Sequence, residues 1–385
     1  MAVRPFLWLA LSFFGYYFAY GVAVPFIPVW LKSQSYSAEL LGLLVASSYF
    51  FRFAGGICFA GIIKQPSQLL PMLRGLAWAS VVLTVAMALL SQHFWLLFIA
   101  FGLYSMVNSA GTPLTDTLAT TWQKQVSLDY GKARLVGSLA FAIAVALFGN
   151  VIGRMGEANI IWLLVVLFAF YALVQMARPT IAVRNATQSA VSKQVSFFQL
   201  LKNGTTLRLM IAACLVQGSH AGYYVYSVLY WTENGIPVGT TSLLWGLAVC
   251  AEILLFFFSK RLFKRWNIAA LFYFSAAAAV IRWLAYSAVL NIGVLAVLQL
   301  FHSFTFAMMH YAMVSYVAQQ PQHHMAKLQS LYNGLASCAS VGILTAVAGV
   351  IYQHDPSLVF VVMAACAACA LLVIPRKVAA VIRQH

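Results

Sequence analysis

The chain has 385 residues, of which 63% are hydrophobic and 8% charged, against about half and about a quarter in soluble domains. With a mean hydropathy of +0.88, this excludes a large soluble domain, and it excludes intrinsic disorder, which requires low hydrophobicity. The net charge of +16 does not point to nucleic acid, because the basic residues lie in short segments between apolar runs and not on one face of a domain.

A membrane-spanning helix needs about 20 apolar residues. Twelve such runs occur in chain order, at 6–31, 40–63, 70–91, 94–121, 134–153, 159–177, 207–231, 240–259, 268–290, 292–318, 326–352 and 357–374. They exceed the alternating strands of about ten residues that build a β-barrel. The run after Arg4 has no small-residue cleavage site closing it, so it reads as a first helix and not as a signal peptide. The expected architecture is all-α and integral to the membrane.

Charge sets the orientation. With the N-terminus inside, nineteen Lys and Arg residues fall in inside segments, while Lys32 and Arg154 fall outside and Arg52 and Arg282 lie within spans. This asymmetry predicts that both termini are cytoplasmic. The longest connection, 179–206, divides the spans six and six, predicting an N-terminal six-helix bundle over 1–178, a cytoplasmic linker, and a C-terminal bundle over 207–385. Within the linker, Phe197-Phe198-Gln199-Leu200-Leu201 reads as a short surface helix. Two glycosylation sequons, at Asn185 and Asn203, are discounted because they fall on the cytoplasmic side. The motifs Gly15-Tyr16-Tyr17 and Gly222-Tyr223-Tyr224 echo one another across the halves. Two bundles around a midplane site make the layout of a major facilitator transporter.

All six cysteines lie in apolar stretches and read as packing residues; Cys366-Ala-Ala-Cys369 lacks the strand–helix context of a redox motif. No P-loop, dinucleotide fingerprint or hydrolase elbow is present, so the chain reads as no enzyme, without cofactor or metal.

A charge near the bilayer centre costs about 2.5–3.5 kcal/mol on insertion scales, so each needs a partner, a watery cavity or a function. Asp116 and Glu252 are the deep carboxylates, one in each half. Asp116 with Arg134, and Glu252 with Arg282, fit either buried ion pairs or proton carriage with substrate binding. His302 and His310, about 80° apart around a helix, fit either packing or one face of a cavity. Tyr20 and Tyr223, deep in spans 1 and 7, could face a ligand ring.

The run from Asp116 through Trp122-Gln-Lys124-Gln to Asp129-Tyr130-Gly131-Lys132-Ala133-Arg134 resembles the lactose-permease branch of the major facilitator superfamily. Glu252, Arg282 and His302 look like that branch's acid on helix 8, arginine on helix 9 and histidine on helix 10. Thr305 stands where that branch has a proton-carrying glutamate. The chain is more similar still to the 3-phenylpropionate permeases, through Tyr20-Gly-x-x-x-Pro25-Phe26-x-x-x-Trp30-Leu31, Pro113-Leu-Thr-Asp116 and Gln217-Gly218-x-His220-Ala221.

The resemblance implies a monomer of the bacterial inner membrane, a symporter importing protons with a small aromatic monocarboxylate such as 3-phenylpropionate. It implies substrate contacts from Asp116 and Arg134, to which the residue reading adds Arg282, Tyr20 and Tyr223. With Thr305 in place of the glutamate, proton coupling falls to Glu252 with His302, or to Asp116, or differs. A proton-coupled sugar or nucleoside symporter is the alternative.

Overall fold

The computed structural model describes residues 2–126, 128–184, 196–376 and 378; side chains are not described at Ala2, Ala60, Lys124, Lys260, Gln322, His323 and Ala326. The sequon at Asn185 and the basic residues Lys193, Lys377 and Arg383 lie outside the described residues.

The chain is helical. In order come α1 (Pro5–Ser33), α2 (Ala38–Ile62), α3 (Leu69–Leu89), α4 (Phe94–Val126), α5 (Tyr130–Met155), α6 (Ile160–Gln175), α7 (Phe197–Leu201) and α8 (Gly204–Gly218). They are followed by α9 (Ala221–Glu233), α10 (Val238–Leu262), α11 (Ile268–Ala288), α12 (Ile292–His302), α13 (Met308–Ala318), α14 (Gln322–Tyr332), α15 (Ser340–His354) and α16 (Leu358–Val373). Two-residue strands, β1 (Ala2–Val3) and β2 (Arg178–Pro179), pair in parallel; the sequence carries no signal for them. Among the described residues, ten helical stretches are long and apolar enough to cross a membrane, and α16 is a shorter apolar helix.

The expected single span over 207–231 is two helices. At its middle the Val216 carbonyl accepts from the Ser219 hydroxyl (2.7 Å) and faces His220 Nδ1 (2.9 Å), while the His220 backbone N–H turns to Gln217 (3.1 Å). Side chains that compete for a backbone carbonyl break the helical ladder locally. The span over 292–318 is likewise interrupted, by a π-helical turn at Ser303–Ala307, and a second such turn covers Asn333–Ala339. Asn203, in the second sequon, caps α8 by accepting from the amides of Thr205 and Thr206, both at 3.0 Å.

The chain groups into two compact units. One comprises β1, β2 and α1–α6 without Ala38–Ala46, and takes in Pro237–Leu243. The other holds Ala38–Ala46 with α7–α9, α10 from Leu244 onward, and α11–α16. In the first, α1 packs on α5 and α6, and α3 on α4 and α6. Trp8, Phe13, Leu73, Leu118 and Trp122 form part of its core. In the second, α11 and α8 pack on α16, and α15 on α8 and α9.

Each unit seals a helix C-terminus with an arginine. Arg74 donates to the carbonyls of Gln175, the last residue of α6, and Ala177, just beyond it (2.9 and 3.0 Å). Arg208 donates to Val373 and Ile374 at the end of α16 (2.7 and 3.2 Å). Four carbonyls lack helical partners at each such end, and a cation there also meets the negative end of the helix dipole.

The helices approach closely where side chains are absent. A Cβ on Gly55 would collide with the Met106 backbone oxygen, whereas one on Gly56 meets nothing within 4 Å. Small residues allow such contact between membrane helices. Gly55→Ala is therefore expected to push α2 from α4 and cost about 1–3 kcal/mol, with Gly56→Ala neutral or slightly stabilising. Thermal unfolding of the two purified variants in detergent checks the contrast, and equal midpoints would refute the packing argument.

Candidate functional site

In the first unit, α1, α4 and α5 bring polar groups together. Tyr16, Tyr17 and Tyr20 lie within about one turn of α1. Asn108, Thr112 and Asp116 follow at four-residue spacing on α4, so they share one stripe. Tyr130 and Arg134 do the same at the start of α5.

Asp116 and Arg134 do not form the direct ion pair that their spacing allowed. The Tyr130 hydroxyl donates to Asp116 Oδ1 at 3.0 Å. Arg134 Nη2 donates to the Tyr17 hydroxyl at 2.7 Å, and the guanidinium lies 4.3 Å from the centre of the Tyr17 ring and 5.6 Å from that of Phe13. That is cation–π geometry. Both charged side chains are half-buried, and their charges act on one another across the tyrosines.

Around this pair the aromatics form a wall. Tyr20 stacks on Tyr16 with centroids 5.6 Å apart, and Tyr16 meets Tyr17 edge-on at 5.0 Å. The Tyr16 hydroxyl donates to Asn108 Oδ1 at 3.2 Å. Arg52 lies 5.8 Å from the Tyr20 ring centre.

The second unit carries a tighter cluster. Arg282 is fully buried. Its Nη1 contacts His302 Nδ1 (3.1 Å) and donates to the Thr305 hydroxyl (3.0 Å). Its Nη2 donates to Tyr286 (3.2 Å) and Gln299 Oε1 (3.4 Å). The guanidinium carbon lies 4.6 Å from the ring centres of both Tyr223 and Trp283. Tyr223 is buried, donates to Gln299 Oε1 at 3.0 Å and stacks on Trp245 at 4.6 Å.

Glu252 does not pair with Arg282. Its Oε2 stands 3.6 Å from His302 Nε2, so the imidazole comes between acid and arginine. Because Arg282 can only donate, His302 Nδ1 must accept, and the His302 proton is on Nε2, toward Glu252. His310 lies apart from the arginine, facing the Tyr332 hydroxyl at 3.2 Å, with the Phe306 ring stacked between the two imidazoles.

Tyr17, Tyr130, Gln299 and Tyr286 complete these clusters, and the sequence does not single them out as site residues. Tyr130 does lie inside the Asp129–Arg134 motif. The others look like ordinary span residues until the fold aims their polar ends. The six cysteines are free thiols, Cys366 and Cys369 included.

Comparison with known proteins adds the family context. Residues 6–362 match the MFS_1 like family. A protein of Escherichia coli K12 described as a probable 3-phenylpropionic acid transporter is 36% identical over 98% of this chain and 99% of its own length. The maltose permease of Geobacillus stearothermophilus is 26% identical over 72% of this chain and 70% of its own. Among solved structures, the nucleoside transporter NupG superposes with a TM-score of 0.82 at 13% identity, covering 97% of this chain and 98% of that one. A POT family transporter in complex with 5-aminolevulinic acid gives 0.75 at 9% identity, over 96% and 95%. Likenesses at such identity bear on the fold, which is that of a major facilitator transporter.

The helix that carries Arg134 is anchored by Asp129, which caps α5 by accepting the Lys132 amide at 3.0 Å and pairs with its ammonium at 3.3 Å. The Lys132 amide, then its side chain, hold this exposed carboxyl below the usual carboxylate range. A depressed acid contributes its stability above its unfolded pKa and loses it as pH falls through its folded pKa, so the cap fails only in acid. Asp129→Ala is expected to speed amide exchange across Tyr130–Arg134, and Asp129→Asn, which can still cap, to do so less. Hydrogen–deuterium exchange in detergent measures this, and unchanged exchange in Asp129→Ala would refute the cap.

Proposed function

The chain belongs to the MFS_1 like family, and from that premise we propose a proton-coupled importer of small aromatic monocarboxylates such as 3-phenylpropionate. It works as a monomer in the bacterial inner membrane, with both termini cytoplasmic and with six-helix bundles over 1–178 and 207–385 joined by the 179–206 linker. The observation that carries the substrate class is the Arg134 site. Among the described residues its guanidinium makes one hydrogen bond, to Tyr17, and keeps the rest of its planar fork for a ligand. A carboxylate matches that fork with two parallel bonds.

Of the two arginines expected to hold substrate, Arg282 is enclosed and has both terminal nitrogens in use, so Arg134 is the carboxylate anchor. Tyr17 and Tyr20, which are half-buried, supply ring surfaces for an aromatic tail. The 36% identical E. coli relative, described as a probable transporter of 3-phenylpropionic acid, supports the same class.

Charge balance supplies the coupling. Ionised Asp116 and Arg134 sum to zero. A bound monoanion leaves one negative charge in a low-dielectric setting, which is costly. A proton on Asp116 restores neutrality and leaves the guanidinium to the substrate. Proton and monoanion therefore favour one another's binding, as symport requires. Glu252 with His302, braced by Arg282 and Tyr223, forms the second proton-handling site.

The test is uptake of labelled 3-phenylpropionate into proteoliposomes under an inward proton gradient, beside a protonophore control and protein-free liposomes, since the neutral acid crosses lipid. Saturable uptake that the protonophore abolishes is expected. Arg134→Gln should abolish it, and Arg134→Lys should raise KM about tenfold, because a point charge replaces a fork. Asp116→Asn and Glu252→Gln should each end accumulation against a gradient. Proton-driven uptake of a sugar or nucleoside, with none of the aromatic acid, would overturn the substrate assignment.

A further inference from the structure

His220, at the break between α8 and α9, takes no part in the proposed coupling above, yet it is fully buried beside it. Its Nδ1 lies 2.9 Å from the Val216 carbonyl oxygen and its Nε2 lies 3.0 Å from Thr305 Oγ1. A carbonyl can only accept, so Nδ1 carries the ring proton and Nε2 is the acceptor. Thr305 has one hydroxyl proton, and the nearer acceptor is that nitrogen; the His302 carbonyl lies farther, at 3.4 Å.

The lone pairs of Thr305 Oγ1 are thereby free to receive Arg282 Nη1 at 3.0 Å. Nη1 also donates to His302 Nδ1 at 3.1 Å. Every direction in the chain follows: His220 to Val216, Thr305 to His220, Arg282 to Thr305 and to His302, and His302 Nε2–H toward Glu252. The π-helical turn at Ser303–Ala307 carries Thr305 into this line, and the Ser275 hydroxyl holds the Thr305 carbonyl at 3.1 Å.

We propose that His220 is a positioning residue for the proton site: through Thr305 it holds Arg282 on His302 Nδ1, which keeps the His302 proton on Nε2, facing Glu252. This rests on the reading of Glu252 and His302 as a proton-handling pair. It adds a reason for the threonine at position 305. A hydroxyl is the smallest group that accepts from a guanidinium and donates to an imidazole at once, while a carboxylate would only accept.

The test pairs a spectroscopic signature with transport. In full-length protein labelled with 15N-histidine and reconstituted in lipid, nitrogen shifts distinguish the two neutral tautomers, with His220 and His302 assigned by single replacement. The native protein should show Nδ1–H at His220 and Nε2–H at His302. His220→Gln puts an amide oxygen near the Nε2 position and keeps the acceptor for Thr305. His220→Asn keeps a donor for Val216 and withdraws that acceptor.

The glutamine variant should hold the His302 tautomer and accumulate labelled 3-phenylpropionate to within about threefold of native. The asparagine variant should mix the tautomers and lose about tenfold in accumulation, the scale of one neutral hydrogen bond. Thr305→Ser should behave like the first and Thr305→Val like the second. A native His302 with its proton on Nδ1 would overturn the proposal, as would asparagine and glutamine variants that behave alike. Undiminished accumulation by Glu252→Gln would instead remove the proton role on which it rests, and the tautomer result would stand apart from that failure.

Discussion

A guanidinium enclosed among apolar helices has to be answered group by group, and Arg282 shows what that demands. A guanidinium offers five N–H donors and no acceptor. The Arg282 charge is met by four hydrogen-bond acceptors, the ring faces of Tyr223 and Trp283, and one carboxylate reached across an imidazole. Helices α9 to α12 and the π-helical turn after them contribute those groups, so the position of each segment is tied to one cation. An acid in direct contact would quench the charge. Instead Glu252 stands one imidazole away, with Oε2 3.6 Å from His302 Nε2.

The first unit solves a related problem more loosely. Asp116 and Arg134 also avoid direct contact, each held by a tyrosine hydroxyl. There the charges are half-buried, and the guanidinium retains donors. The two arginines thus differ in burial: Arg282 is enclosed with both terminal nitrogens engaged, whereas Arg134 is half-buried. The aromatic rings matter through their placement beside these cations, because ring faces attract cations while offering apolar surface.

Irregular backbone places the chemistry. The α8–α9 break exposes the Val216 carbonyl to His220, and the π-helical turn advances Thr305 toward Arg282. Both interruptions fall within runs that read as uninterrupted apolar spans. Non-helical backbone at membrane depth is tolerated where protein groups satisfy the freed carbonyls, and here side chains of the cluster do so. The structural irregularity and the polar cluster therefore sustain each other.

Much of this was legible in one dimension. The apolar runs, the loop charges and the deep position of Asp116, Glu252, Arg282 and His302 follow from hydropathy, because a bilayer imposes the same length and polarity on any spanning helix. The family followed from motifs in which these residues are embedded. What linear order does not carry is which group answers which. Charge alone pairs Asp116 with Arg134 and Glu252 with Arg282 directly, and the fold sets tyrosines and a histidine between them. Along the chain Thr305 stands out only as a missing acid, whereas the packed helices make it the acceptor of Arg282. Charge and hydropathy are additive along a chain. Hydrogen-bond direction is a property of groups brought together from distant positions, and only tertiary structure decides it.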